Sequence, residues 1–494
     1  MKRKTISVLF ILMLFMPVMN FAFETLTTVY VDGLAPMSID GNLDDWEGID
    51  VQEVPLTQQL EGFSTREIIT INGDVDLSFS FKCFADARYV YVAMMVKDDD
   101  IIIGNSDFGE GWKHDSPTVY FDGDCIDISK PYFDANDGQL KVIGAPPDGV
   151  AYIEGLIPYF YEIQVPYFWE SRGIKAGFKQ YDTGYNVEIA IPLKVLGWNN
   201  IEPGKTMGMN IRTVDIDHDM DADEVEKGLL WGPDPDHTLY FKTENYNRVV
   251  FAKAVSMPGV VESGVSGGML RTVGSEAREL ELELSTPDYT DGTELLAAVL
   301  EDIATERWDA AEIKLASVKD AIWAQPMLGV VQLKANKCEQ GTSQLLDFVG
   351  QCPDDYAVKW AKKFLKNDAK FLYIYYSGQF VSDNQLYVNM ISILQEYIKH
   401  FPDDIEAKFK IANYLEEINS YENAINYYNQ IEKSSANNAD ILKARIGIAE
   451  NLFLNGDYFE AKKLAEELIN NSNDSKTILG AQMILLSVEQ KTSN

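Results

Sequence analysis

The chain has 494 residues, 46% of them hydrophobic and 12% aromatic, enough to bury packed cores in about two or three domains and too apolar for a disordered chain. Asp and Glu number 77 against 42 Lys and Arg, a formal net charge of −35. A surface of that sign repels nucleic acid and anionic membranes, and it favours cations, neutral ligands or basic partners or serves solubility alone.

Residues 1–22 open on Met1-Lys-Arg-Lys4 and continue through an apolar run from Val8 to Met19 to the small Ala22. The run is too short to span a bilayer and predicts a secretory leader cut near Ala22, with Asn20 where a small residue is usual. No cysteine comes after it, so a lipoprotein anchor is not expected, and no later stretch reaches about 18 apolar residues. The mature chain is expected to be exported by a bacterium to periplasm, cell surface or medium, without an integral membrane segment.

From 25 to 254 the chain is punctuated by Gly, Pro and Asp and carries short runs rich in β-branched and aromatic residues. Asp76–Phe84, Tyr89–Val96, Thr118–Phe121 and Tyr185–Ile191 are examples, several alternating apolar with polar as strands with one buried face must. Many short strands between turn residues predict an antiparallel β-sandwich. Cys83, Cys125, Cys338 and Cys352 leave disulfide pairing open; Cys83–Cys125 with Cys338–Cys352 is the simplest, while Cys83 is also in phase with Phe79 and Phe81 as a buried thiol.

Residues 255–290 turn to Ser, Gly and Glu and read as a linker. Gly264-Val-Ser-Gly-Gly268 has the spelling of a nucleophile elbow but lacks the strand and helix that would aim its serine. From 291 to 494 apolar residues recur at three- and four-residue intervals, as in Leu295, Leu296, Val299, Leu300 and Ile303, predicting an all-helical domain. Its clearest repeats lie in 404–470, where Ala412, Tyr421 and Ala424 recur as Ala449, Tyr458 and Ala461, each 37 residues later. Small alanines let two helices of a hairpin approach closely while the tyrosine fills their turn. The pattern resembles tetratricopeptide repeats, of about 34 residues, with Trp308-Asp-Ala-Ala311 as a divergent earlier copy and Phe401-Pro402 as a repeat end. Such repeats imply a protein partner gripped by a concave face.

In the first half, Ile39-Asp-Gly-Asn-Leu-Asp-Asp-Trp46, Arg88–Asp99, Trp112-Lys-His-Asp-Ser116 running into Tyr120-Phe-Asp122, Tyr185–Pro192 and Gly208–Asp217 succeed one another. In content, order and spacing they resemble a family 9 carbohydrate-binding module, a sandwich related to the DOMON fold. The resemblance implies binding of a poly- or oligosaccharide between tryptophan faces, with calcium supporting the sandwich. Trp112, Asp115, Lys141 and Tyr240 are then the carbohydrate-binding candidates. Lys141 stands where the family has an arginine, Thr118 where it has a glutamate, and Tyr240 near the place of the second tryptophan. Some DOMON relatives hold haem through methionine or histidine, and Met207 and Met209 lie on a suitable strand, where core packing is the plainer expectation.

The stretch from Asp215 to Glu226 sets acids at positions one, three, five, seven, nine and twelve: Asp215, Asp217, Asp219, Asp221, Asp223 and Glu226. That is the ligand spacing of an EF-hand loop, but Met220 replaces the glycine of its sharp turn. Crowded carboxylates repel unless a cation sits among them, so these six are calcium candidates in a looser loop, with a solvated loop as the plain alternative. Asp98, Asp99, Asp100, Asp44 and Asp45 are further donors. His114, His218, His237 and His400 stand in no catalytic motif.

The region after the linker is shorter than the roughly 250 residues of a barrel glycosidase. An exported, non-catalytic carbohydrate-binding protein with a helical protein-interaction domain is therefore expected. The alternatives are a cell-envelope scaffold whose sandwich no longer binds sugar and, further off, a glycoside hydrolase working through paired carboxylates.

Overall fold

The computed structural model describes residues 24–32, 34, 36–55, 71, 73–103, 111–126, 133–145, 150–160, 163–217, 227–232, 243, 246–253, 292–373 and 383–492, with Trp112 described in its backbone alone. The leader, the linker with its Gly264–Gly268 motif, His218 and His237 lie outside them.

Twelve strands are described: β1 Thr25–Tyr30, β2 Gln52–Glu53, β3 Leu77–Ala85, β4 Tyr89–Asp98, β5 Ser116–Asp122, β6 Asp137–Ala145, β7 Val150–Glu154, β8 Lys175–Tyr181, β9 Gly184–Pro192, β10 Lys205–Asp215, β11 Lys227–Trp231 and β12 Asn247–Lys253. They pair in the order β7-β6-β5-β10-β12-β1-β3-β4-β9-β8, with β11 on β10 and β2 on β3. β1 runs parallel to both β12 and β3, and all other pairs are antiparallel, so the first strand joins two antiparallel halves of a sandwich. Alternation decides which side is buried: Leu77, Phe79, Phe81 and Cys83 of β3 turn inward while Ser78, Ser80 and Lys82 turn out. Phe79, Phe81, Met94, Val119, Phe121, Leu140, Ile189, Met209, Ile211 and Phe251 share one core. Met207 and Met209 are fully buried in that core, and all four cysteines are free thiols, Cys83 among the core residues.

The opening motif is anchored by one carboxylate. Glu188 of β9 accepts from Trp46 Nε1 at 2.6 Å and from the backbone N–H groups of Asp40 and Gly41 at 2.8 and 2.5 Å. Trp46 is thereby fully buried against Phe84, its ring edge-on at 5.1 Å. Burial pushes the Glu188 carboxyl up to about 8, with the Asp45 charge adding to it and the three donors opposing.

The second half is all helix in its described residues: α1 Thr293–Ala304, α2 Trp308–Ala316, α3 Ala324–Lys334, α4 Cys338–Gln351, α5 Asp355–Lys363, α6 Asp383–His400, α7 Ile405–Glu417, α8 Tyr421–Ser434, α9 Asn438–Leu454, α10 Tyr458–Asn471 and α11 Ser475–Thr492, with short π and 3-10 turns after α5. Ala412, Ala424, Ala449 and Ala461 are fully buried where α7 meets α8 and α9 meets α10. Trp308, Tyr421 and Tyr458 each open the second helix of a pair. At Gly447 a Cβ would stand 2.6 Å from the Tyr428 ring, so only glycine lets α8 and α9 approach this closely. Side chains cap the starts: Asp354 accepts from Tyr356 N, Asp404 from Ala407 N and Asn437 from Ala439 N, each at 3.0 Å. No helix among the described residues is long and apolar enough to cross a membrane.

The halves share their core. Leu296, Trp323 and Trp360 of the helical half belong to the cluster that holds Phe168 and Trp169 of the sandwich, and Phe160 lies 6.2 Å from Trp308 between ring centroids.

Candidate functional site

Five aspartates from four segments meet at one end of the sandwich. Asp76 precedes β3, Asp98 ends β4, Asp115 precedes β5, and Asp215 ends β10 with Asp217 just beyond. Register brings them together, since Leu77 pairs with Asp98 and Val214 with Ser116. Oxygens of Asp98, Asp115 and Asp215 lie within 4.8 Å of one another, as do those of Asp76, Asp215 and Asp217, so Asp215 serves both groups. Asp98, Asp115 and Asp215 are at most 2% exposed. Asp115 is clamped, Oδ1 accepting from Ile216 N at 2.8 Å and Oδ2 from Ile102 N at 2.5 Å. Even so, burial, then the charges of Asp98 and Asp215, push its carboxyl up to about 9. Buried carboxylates gathered at this spacing form an all-oxygen donor set, which fits a hard divalent ion such as calcium and suits soft metals poorly.

A second feature is the face of β10, β5, β6 and β7 turned away from the apolar core, on which Thr118, Arg212 and Glu154 are nonetheless buried. Cross-strand register aligns Arg212 with Thr118, Thr118 with Lys141, and Lys141 with Glu154, a polar row opposite the apolar inner row of Ile211, Val119 and Leu140. The turn Gly111–Lys113 crosses this row: Gly111 N donates to Glu154 Oε2 at 3.1 Å, and a Cβ on Gly111 would stand 2.4 Å from Ile143 and 2.7 Å from Glu154. Burial draws the Lys141 ammonium down to about 8, with Glu154 opposing and Arg212 adding to the fall. The row therefore offers a carboxylate, a guanidinium and an easily neutralised amine beside the turn that carries Trp112, donors and acceptors suited to hydroxyls.

At the other end of β5 and β6, Asp122 and Asp137 face each other across the ladder. Asp122 Oδ1 accepts from Asp124 N at 3.0 Å and Cys125 N at 2.5 Å, and Asp137 Oδ2 from Asp134 N at 3.0 Å, bonds that tie the local turns.

Of the expected metal ligands, Asp215 and Asp217 join the acidic cluster, while Asp219, Asp221, Asp223 and Glu226 lie outside the described residues, as does Tyr240. Of the carbohydrate-binding candidates, Asp115 sits in the acidic cluster and Lys141 in the polar row. Asp76 and Glu154 were not singled out by sequence. Asp76 opens a strand in the usual turn manner, and Glu154 is one acid among many; only register assigns them.

Residues 39–252 match the family described as Carbohydrate family 9 binding domain-like. Over those residues the sandwich is similar to a family 9 carbohydrate-binding domain. Among solved structures, the chain is similar to a family 9 carbohydrate-binding module from Caldicellulosiruptor kristjanssonii in complex with cellotriose, at 15% identity over 48% of this chain and 99% of that one, TM-score 0.34. It is also similar to MamA AMB-1, at 17% identity over 34% and 92%, TM-score 0.19. The TPR2AB domain of yeast Sti1 with pHSP90 is similar at 14% identity over 44% and 90%, TM-score 0.19. No curated protein matches the chain. Within the matched residues, Trp112-Lys-His-Asp-Ser116 is one short segment that supplies both the turn over the polar row and an acid of the cluster.

Proposed function

We propose that this is an exported, non-catalytic carbohydrate-binding protein whose sandwich is braced by calcium and whose helical repeats bind another protein. The family match over residues 39–252 carries the reading, and the polar row beside the Trp112 turn gives it chemistry: one sugar face packs on an aromatic ring while charged groups at the edge take the hydroxyls. Asp76, Asp98, Asp115, Asp215 and Asp217 would hold the calcium, which supplies positive charge between the two halves of the sandwich. Asp115, through Ile102 and Ile216, then fixes the segments on either side of the cluster, including the approach to the Trp112 turn.

The test is a glycan array probed with the full chain and with Trp112→Ala. Ring-dependent binding supports the reading, and silence from both proteins defeats it. Thr118 and Lys141, in place of the family's glutamate and arginine, favour the second reading, a scaffold whose sandwich has lost sugar binding. That reading predicts silence on the array with the helical half still capturing its partner.

A further inference from the structure

The polar face ends at β7, and there the helical half reaches onto it. Tyr356, in the first turn of α5, donates its hydroxyl to Glu154 Oε1, and its ring centroid lies 4.9 Å from that of Tyr152 at an interplanar angle of 37°. Tyr152 and Glu154 are two apart on one strand, so both side chains stand on the same face. An aromatic ring packed on Tyr152 and a hydroxyl given to the Glu154 carboxylate are the two contacts that a pyranose makes with a protein surface.

Position 118 lacks the carboxylate of the family pattern, and Glu154 restores one in the same cross-strand row, two strands further on. The backbone beneath Tyr356 is anchored independently. Asp354 accepts from Tyr356 N at 3.0 Å and from Tyr167 Oη at 2.7 Å, and Trp360 Nε1 donates to Gln164 O at 3.1 Å. Tyr356 itself is half-buried, so its side chain can swing away while Trp360 stays in the shared core.

We propose that Tyr152 and Glu154 form a saccharide subsite, and that Tyr356 occupies it from within the chain, so that sugar and the tyrosine side chain exclude each other there. The inference rests on the carbohydrate-binding reading and adds to it a place and a gate. The helical half then sets the sandwich's affinity, and a partner that pulls on α5 would raise it.

The experiment is a calorimetric titration of the full chain, in calcium, with cello-, xylo-, manno- and malto-oligosaccharides, using wild type, Tyr356→Ala, Tyr356→Phe and the double variant Tyr356→Ala with Glu154→Gln. Tyr356→Ala should bind at least about tenfold tighter than wild type, the worth of one hydrogen bond to a charged group. Tyr356→Phe should gain less, because its ring still covers Tyr152, and the double variant should lose the gain. Thermal melts check that each variant folds; if Tyr356→Ala does not, Tyr356→Phe against wild type decides. Binding by wild type that is unchanged or weakened in the folded tyrosine variants overturns the gate and leaves the carbohydrate reading standing. Silence from every folded protein overturns both.

Discussion

Two buried acid sites, one in each half, are balanced in opposite ways. In the helical half Asp302, with its side chain 2% exposed, meets Arg307 Nη2 at 2.8 Å and also Lys314 Nζ. Burial alone would raise its pKa, but the bonds to Lys314 and Arg307 outweigh it and hold the carboxyl below its usual range. In the sandwich Asp98, Asp115 and Asp215 face one another, and Asp115 is driven up to about 9. A carboxylate paired with a basic side chain is complete within its own chain. One beside other carboxylates, as Asp115 is, gains stability from a bound proton or cation. Metal dependence should therefore belong to the sandwich and be foreign to the helices.

The largest effect should come from calcium. At about a thousandfold excess over its dissociation constant, a ligand of the folded state adds roughly 4 kcal/mol, on the order of 10 °C for a domain of this size. Calorimetry with calcium and then with excess chelator should show that shift in the sandwich transition, and Asp215→Asn should abolish it. An equal shift with the variant would place the ion elsewhere.

Next comes the helical counterpart. Replacing both Arg307 and Lys314 by Met leaves Asp302 buried without its cations, which should cost about 3 kcal/mol. Urea unfolding should report the loss, identical with and without calcium. If calcium rescues this variant, the contrast between the halves fails.

The seam should show a smaller, pH-linked effect. Glu170 lies in the turn Phe168–Ser171, where burial, with the Asp354 charge added, pushes its carboxyl up to about 7 against the backbone N–H groups that favour ionisation. Its folded value lies above the ordinary 4.5, so between about 4.5 and 7 the unfolded chain has lost a proton that the folded one keeps. Stability should then fall as pH rises through that window, by at most about 3 kcal/mol in all, and level off above it. Glu170→Gln should flatten this segment of the stability curve, and an unaltered curve would remove Glu170 from the account.

The smallest change is Glu188→Gln, which keeps one acceptor but presents an amide to donors that Glu188 Oε2 satisfied. A loss of about 1 kcal/mol is expected, with Trp46 becoming measurably more accessible to a fluorescence quencher. Retained shielding would mean that packing against Phe84, rather than Glu188, positions the tryptophan.

Sequence alone determined the fold class, because burial of one face writes a period into the chain: two in β3, near four in the helices, and 37 between Ala412 and Ala449. It also singled out Asp215 and Asp217, which lie in one acid-rich stretch. Tertiary structure alone decided that Asp76, Asp98 and Asp115 join them, that Glu188 holds Trp46 across 142 residues, and that Tyr356 reaches Glu154 across 202. Those meetings depend on strand order, register and the docking of one half on the other, which no local periodicity encodes. A polar side chain bears the same letter whether solvent, an ion or a distant tyrosine becomes its neighbour.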